Sequence, residues 1–355
     1  LLAGPLPDVV HLRMADPGTY ATAQVALSYG IPLVFTFAPD PHGPIEAAET
    51  AGTLDRRTFA AHDAQAALWF RANLVERLAQ EARELVLFPR TGLPDELERL
   101  TGVDLRSGPP RHTIVAEGID LNSTERAAAD VAVADAPPRV LVDLQNAIRR
   151  LPSDRQGLPL VVSAGRLVEL KGMARLVKAF AEDPSLSMRA NLVLVGGDLD
   201  APTAAEAAEL ARIQGHLEEH PQLRDRVVLL GQRSHEDVAL VLAAARHGWG
   251  KTIGPDGSYA CASTKEEFGL AIVEALAAGL PATAPLTGGP ATYIVPGQTG
   301  TLTDTTDTAA LATAIGATLD LAAEPATAGR ARAIVEDRYT LERRARSLTA
   351  VYRVT

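Results

Sequence analysis

The chain has 355 residues, 46% hydrophobic and 22% charged, with a net charge of −10 and a single cysteine, Cys261. That length exceeds one ordinary core and suits two domains of ~100–200 residues each. The acidic balance argues against a general nucleic-acid surface, which needs a basic face, and one cysteine excludes an intrachain disulfide. No run reaches the ~18 apolar residues of a membrane span, and no basic leader is visible. We therefore expect a cytoplasmic protein. The start at Leu1, directly before a strand-like run, predicts that an N-terminal piece is missing from the sequence.

In chain order, Val9–Leu12 reads as a strand, Tyr20–Tyr29 as a helix ended by Gly30, and Ile31–Thr36 as the next strand. One long helix is expected from about Phe59 to Glu84, with Leu68, Leu74, Val75 and Leu78 at helical spacing. Leu85–Phe88 and Thr113–Ala116 read as further strands. Residues 121–158 are rich in Ala, Asp, Pro and Arg, and read as an irregular linker holding a short helix near Val142–Arg149. A cleaner alternation follows. Strands are expected at Leu158–Ser163, Leu192–Val195, Val227–Leu230, Tyr259–Ala262 and Pro281–Ala284. The helices between them are Gly172–Phe180, Ala204–Leu217, Glu236–Arg246 (Ser234 as N-cap) and Leu270–Ala278. Such alternation predicts parallel sheets of Rossmann type, which bind ligands at the carboxyl ends of their strands.

Three segments carry chemistry. In Gly165-Arg166-Leu167-Val168-Glu169-Leu170-Lys171-Gly172, a tight turn at Gly165 is followed by two cations able to point into one crevice. A guanidinium fork and a mobile ammonium together suit a diphosphate. The same spacing also fits a loop with two solvated cations. In Glu266-Glu267-Phe268-Gly269-Leu270-Ala271-Ile272-Val273-Glu274, the outer carboxylates are eight residues apart. Eight helical steps return to within ~80° of the start, so both are expected on roughly one side. The backbone N–H groups near Phe268, Gly269 and Leu270 open a helix and suit an anion. Glu274 projects from an otherwise apolar helix and needs partners, for which sugar hydroxyls are suitable. An ordinary acidic helix start plus a half-exposed Glu fits as well. The third segment, Pro281–Pro290, runs from a strand into Gly288-Gly289, where the chain can approach a ligand closely.

Together these runs resemble the large family of retaining glycosyltransferases that includes sucrose-phosphate synthases and phosphatidylinositol mannosyltransferases (glycosyl transferases group 1). SAGRLVELKG is similar to its donor segment, and KEEFGLAIVEALAAGLPATAPLTGG to its E-x7-E signature, strand and Gly-Gly loop. VAEGID, Val115–Asp120, resembles the turn that closes the first domain. The resemblance implies a GT-B fold, two Rossmann-like α/β domains facing a cleft, with the N-terminal one truncated. Residues 1–150 would form the acceptor-side domain with its linker. Residues 151–335 would form the nucleotide-sugar donor domain, and 336–355 a helix crossing back. It further implies that Arg166 and Lys171 bind the donor diphosphate and that Glu266 contacts the donor sugar. Glu274 would hold the ribose, and Gly165 with the backbone of Phe268, Gly269 and Leu270 would line the phosphate. The chemistry implied is retaining transfer with no metal or other cofactor.

The N-terminal half departs from the pattern. PDVVHLRMADPG is similar to the sucrose-phosphate-synthase form of the early motif: His11 and Asp16 match, while Arg13 stands where a second His is usual. IPLVFTFAPDPHG resembles the strand ending in Thr-x-His, but Ala38 occupies the His position and the nearest candidate is His42. His11, Arg13 and Asp16 are placed on the acceptor side, and His42 in the catalytic set. His42 also fits a surface-loop His, and His11 a structural one.

Gly250-Lys251-Thr252 matches the end of a P-loop, but the glycine required five positions earlier is Ala245. His247–Ser258 is therefore expected to be a surface loop that sits before the donor signature. Leu341–Val354 reads as a basic, solvated helix with Arg343, Arg344 and Arg346, which leaves peripheral membrane contact open.

The function expected is transfer of a hexose from a nucleoside diphosphate sugar, UDP-linked first, to an acceptor hydroxyl. A sugar phosphate acceptor is the alternative, with Arg13 and Arg71 as the basic groups on hand. A non-catalytic nucleotide-sugar module and a GT-B epimerase are the readings from other classes. Partners expected are the nucleotide sugar and an acceptor, not nucleic acid.

Overall fold

The structure is a computed structural model that describes residues 4–37, 45, 49, 52, 54–106, 111–133 and 137–354. His42 and Ala38 lie outside the described residues. The chain divides into two compact units, Leu1–Glu117 with Glu342–Thr355, and Gly118–Leu341. The division thus falls inside Val115–Asp120, and residues 118–150, read from sequence with the first half, belong to the second unit.

In the first unit, β1 (Val10–Leu12), β2 (Leu33–Thr36), β3 (Glu84–Leu87) and β4 (Arg111–Ile114) form a parallel sheet in chain order. Helix α1 (Pro17–Ser28) starts three residues before the expected Tyr20. The cause is Asp16, whose carboxylate accepts from Thr19 N at 2.8 Å, followed by Pro17 in the first turn. The long helix expected over Phe59–Glu84 is two helices, α2 (Phe59–Ala66) and α3 (Leu68–Glu81). Ala67 turns left-handed between them at φ 48°, and Asp63 Oδ1 accepts from Trp69 N at 2.7 Å to open the second. α4 (Leu93–Thr101) adds a further helix, between Gly92 and Gly102. Leu33, Phe35, Leu78, Leu85, Leu87 and Leu97 fill the core.

In the second unit, the stretch 121–158 holds the short helix expected near Val142–Arg149 as part of α6 (Arg139–Arg149), whose Val140, Leu141, Leu144 and Ile148 are buried on one face. It also holds a further helix, α5 (Leu121–Ala132), capped by Asp120, where an irregular linker was expected. Alanine richness favours helix here. The parallel sheet comprises β5 (Leu160–Ala164), β6 (Asn191–Val195), β7 (Val227–Gly231), β8 (Ser258–Ala260), β9 (Ala282–Pro285) and β10 (Gly300–Thr303). Its spatial order is β10-β9-β8-β5-β6-β7. The chain runs outward from β5 to β7, returns to lay β8 beside β5, then continues the other way. That reversal is the topological switch point of a doubly wound sheet, and the crevice beyond the strand ends there is the usual ligand position.

Between the strands come α7 (Met173–Glu182), α8 (Pro184–Arg189), α9 (Ala204–Glu219) and α10 (His235–His247). α11 (Leu270–Ala277), α12 (Thr308–Ala322) and α13 (Thr327–Arg338) follow, and α14 (Leu341–Val354) belongs from Glu342 on to the first unit. Ser234 caps α10 as expected, in a reciprocal box with Asp237. His247–Ser258 is an ordered loop that leads into the N-terminal end of β8, with Thr252 and Ile253 buried and Gly254 N donating to Leu158 O at 2.9 Å. It therefore lies at the sheet edge opposite the strand ends that make a site.

Candidate active site

The switch point is closed from below by Tyr259 of β8. Its hydroxyl donates to Ala164 O at 2.9 Å and accepts from Ala164 N at 3.3 Å, so it fixes the last residue of β5. Gly165 follows. A Cβ there would meet Lys171 methylenes at 3.9 Å and Met173 Cε at 4.0 Å, both ordinary contacts, so the turn does not itself require glycine. The glycine that the fold requires is Gly196, at φ +137°, where a Cβ would sit 1.8 Å from Gly165 O. Arg166 comes next, exposed, with no side-chain hydrogen bond or ion pair among the described residues.

A short 3-10 turn, Glu169–Lys171, then brings Lys171 back over the crevice. Its Nζ pairs with Glu266 Oε1. The same oxygen accepts from Ser263 Oγ at 2.6 Å, and the Cys261 thiol lies 3.7 Å away. The Lys171 and Glu266 side chains are 25% and 12% exposed, so the pair is sheltered yet open on one side. Burial, with Glu266 beside it, pushes the Cys261 thiol up to about 12, which makes it an uncharged packing group. The Lys171 and Glu266 segments are also joined through backbone, with Thr264 N donating to Leu170 O at 3.0 Å.

After Glu266 the chain turns at Gly269, φ +86°, into α11. Gly269 offers no capping side chain, and the N–H groups of Leu270 and Ala271 have no partner among the described residues. Those amides point at the helix start with the positive end of the dipole. Phe268 does not face that position. It is buried against Tyr293 and Tyr339, with ring centroids 5.8 and 5.6 Å apart, and Tyr293 Oη donates to Phe268 O at 2.6 Å. The Gly288-Gly289 turn approaches this same backbone closely: a Cβ on Gly288 would meet Glu266 O at 2.1 Å, and Gly289 N donates to Glu266 O at 3.0 Å.

Glu274 lies two turns on, 20% exposed, with His235 Nδ1 at 3.6 Å. Burial pushes its carboxyl above the usual range, and His235 opposes this. The two line a pocket with Asp120, Ser123 and Thr124. The structure thus joins Glu266 to Lys171 but gives Glu274 separate neighbours. Gly269 interrupts the helix between the two carboxylates, so the eight-step rotation does not hold. Among the described residues no group of three or more His, Cys, Asp or Glu could hold a metal ion, and no helix is long and apolar enough to cross a membrane.

In the first unit the residues placed on the acceptor side are engaged with their own framework. His11 Nδ1 bonds Tyr352 Oη and its Nε2 bonds Thr36 Oγ1, both at 2.6 Å. Burial, with Arg13 and Arg344 nearby, lowers its pKa to about 4. Arg13 and Arg344 share the buried carboxylate of Glu117, and Asp16 caps α1. Arg71 lies on α3. Arg90, which the sequence reading passed over, follows β3. It is buried over the Phe37 ring at 5.5 Å, with Glu96 at 2.8 Å from Nε and no hydrogen-bond partner for Nη2 among the described residues. Ser263, Thr264, Arg175, Tyr259, Tyr293 and His235 were likewise unassigned. Only Ser263, three residues before Glu266, carried a spacing signal.

Comparison with known proteins fits this geometry. The family described as glycosyl transferases group 1 matches residues 145–332, more than half of the chain. The chain belongs to the glycosyl transferases group 1 family, and its fold is GT-B. Among its relatives, a sucrose synthase of Acidithiobacillus caldus is 30% identical over 217 residues, 58% of this chain and 26% of that protein. A probable sucrose-phosphate synthase 1 of Oryza sativa subsp. indica is 27% identical over 338 residues, 87% of this chain and 30% of that protein. The chain thus spans between a quarter and a third of the length of these curated relatives. Among solved structures, the sucrose-phosphate synthase of Thermosynechococcus elongatus superposes with a TM-score of 0.70 at 23% identity, over 98% of this chain and 73% of that one. Anabaena HepE in complex with UDP-glucose gives 0.67 at 19%, over 97% and 78%.

Proposed function

We propose that this protein is a retaining glycosyltransferase that moves a hexose from a nucleoside diphosphate sugar, UDP-linked first, to an acceptor hydroxyl. The observation that carries the reading is the set of groups at the β5/β8 switch point. They are a sheltered Lys171–Glu266 pair, an exposed Arg166 five residues before Lys171 in the same segment, and two open amides at the start of α11, which opens four residues after Glu266. In this reading Arg166 and Lys171 hold the diphosphate, helped by the Leu270 and Ala271 amides. Glu266 accepts hydrogen bonds from the donor sugar, and Glu274 from the ribose. As the bond between the anomeric carbon and the diphosphate breaks, negative charge grows on the leaving phosphate. Fixed cations and amides stabilise that charge more than they stabilise the ground state. His42 is retained as the candidate that approaches the donor sugar. Arg13, 44% exposed at the end of β1, is the acceptor-side residue with a free face.

A sugar phosphate as acceptor is the second reading. Arg90 favours it: a buried guanidinium at the carboxyl end of β3 with an unpaired nitrogen is suited to an anionic oxygen. The sucrose-phosphate synthase relatives point the same way.

Calorimetric titration of UDP, GDP, ADP and dTDP into the purified chain, repeated with Arg166→Ala, tests the donor assignment. Saturable binding of one nucleotide, weakened at least tenfold in the variant, is expected. Failure of a well-folded protein to bind any of the four would move the chain to a non-catalytic role.

A further inference from the structure

The Lys171–Glu266 bond cannot by itself keep the two halves of the site in register, because a donor diphosphate competes with Glu266 for the same ammonium. Some other group must hold the segment that carries Lys171 against the segment that carries Glu266 while this pair is shared or broken. We infer that Arg175 is that positioning residue.

Arg175 lies one turn into α7, four residues after Lys171. Its guanidinium leaves that helix and crosses to the stretch between β8 and Glu266. Nη2 donates to Ala262 O at 2.7 Å and to Thr264 Oγ1 at 3.3 Å. Thr264 in turn is bonded to Leu170 O through its amide, at 3.0 Å. The bridge is therefore closed on both sides: Lys171 follows Leu170 directly, and Glu266 lies two residues after Thr264. Gly172 makes room for it. A Cβ there, at φ +67°, would meet Ala262 O at 2.3 Å and Arg175 Nη2 at 2.4 Å.

Two carboxylates act on the arginine through their charge. It is largely buried, which lowers its pKa, while Glu209 and Glu169 oppose that effect. Glu209, 1% exposed, accepts from Ala174 N at 2.9 Å and from Arg212 Nε at 2.9 Å. Arg212 also reaches Glu169 at 3.5 Å, in the turn that ends at Lys171. A part-buried guanidinium that donates from Nη2 to one carbonyl and one hydroxyl, with its Nε buried and unpartnered among the described residues, makes a directed contact that a solvated lysine does not. Arg175 touches neither nucleotide nor sugar in this scheme. It sets the distance between the cation that meets the diphosphate and the carboxylate that meets the hexose, and a shift of ~1 Å there is enough to matter.

This role rests on the donor-site reading above, and the test separates the two. UDP and UDP-glucose are titrated into the full chain, wild type, Arg175→Met and Arg175→Lys, with thermal unfolding of each. UDP meets Arg166, Lys171, the α11 start and Glu274, whereas the glucose of UDP-glucose also needs Glu266 in register with Lys171. Arg175→Met is expected to keep UDP affinity within about threefold and to lower the affinity for UDP-glucose relative to UDP about tenfold. Arg175→Lys, which preserves a donor to Ala262 O, is expected to recover part of that ratio. It carries the same comparison if the Met variant does not fold. An unchanged UDP-glucose to UDP ratio in a folded variant overturns the positioning role alone. So does a parallel loss of both affinities along with thermal stability, which is the mark of a merely structural residue. A wild-type chain that binds neither ligand overturns the donor-site reading and this role with it.

Discussion

The two sheets end in the same way and use their ends differently. Both are parallel, and both carry charged residues just past the carboxyl ends of their strands. In the second unit those groups retain capacity: Arg166 is unpartnered, and Lys171 and Glu266 bond one another while staying open on one side. In the first unit His11 has both ring nitrogens engaged, Asp16 is a helix cap, and Arg13 with Arg344 neutralises Glu117. Polar residues at a strand end therefore mark a site only when their bonding capacity is not already consumed by the framework.

The sharpest break in that comparison comes from removing one charge on each side. Lys171→Ala or Glu266→Gln is expected to lower turnover of UDP-glucose by ~10²–10³-fold, in line with loss of one transition-state contact. Asp16→Ala is expected to cost only about 1 kcal/mol of stability, with turnover per folded molecule unchanged. Assays of UDP release beside thermal melts check both.

A second contrast uses glycines. Gly196→Ala forces a Cβ toward Gly165 O and should destabilise the second unit by several kcal/mol and abolish nucleotide binding. Gly30→Ala in the first unit, at φ +67° with open space around it, should cost only ~1–2 kcal/mol. Urea unfolding of the two variants measures the difference.

Two pH effects of opposite sign follow. The folded-state pKa of Glu274 lies above its unfolded value, so the folded state binds the proton more tightly. Stability then falls as pH rises from about 4.5 through the raised pKa. Glu274→Gln should remove that slope and raise the melting temperature at pH 7, while weakening UDP. His11 is the reverse: its folded pKa, about 4, lies below the unfolded 6.5, so the unfolded state takes up the proton first. Stability is lost as pH falls from 6.5 to about 4, and His11→Gln should flatten that limb. The effect is confined to the acid limb and should leave UDP binding unaltered.

What the sequence made legible follows the same division. The alternation from β5 to β9 was readable because buried parallel strands are near-continuous apolar runs and each helix has one clear apolar face. The segments read as donor-binding stand out because their charges sit beside glycines at strand ends. What was not readable depends on distant partners. Nothing near Arg175 in sequence points to Ala262 and Thr264. The left-handed turn at Ala67 rests on Asp63 reaching across it, and alanine gives no warning of that. α5 was hidden by a composition of Ala and Asp that periodicity alone does not resolve. Phe268 was read for its backbone at a helix start; that its ring packs against Tyr293 and Tyr339 depends on partners distant in sequence.

The measurement that bears most directly on the donor site is a crystal structure of the full chain with UDP. The account predicts the diphosphate beyond the ends of β5 and β8, within hydrogen-bond distance of Arg166, Lys171 and the Leu270 and Ala271 amides, with Lys171 turned at least partly from Glu266. UDP bound elsewhere, with the Lys171–Glu266 pair closed and Arg166 still in solvent, would contradict it.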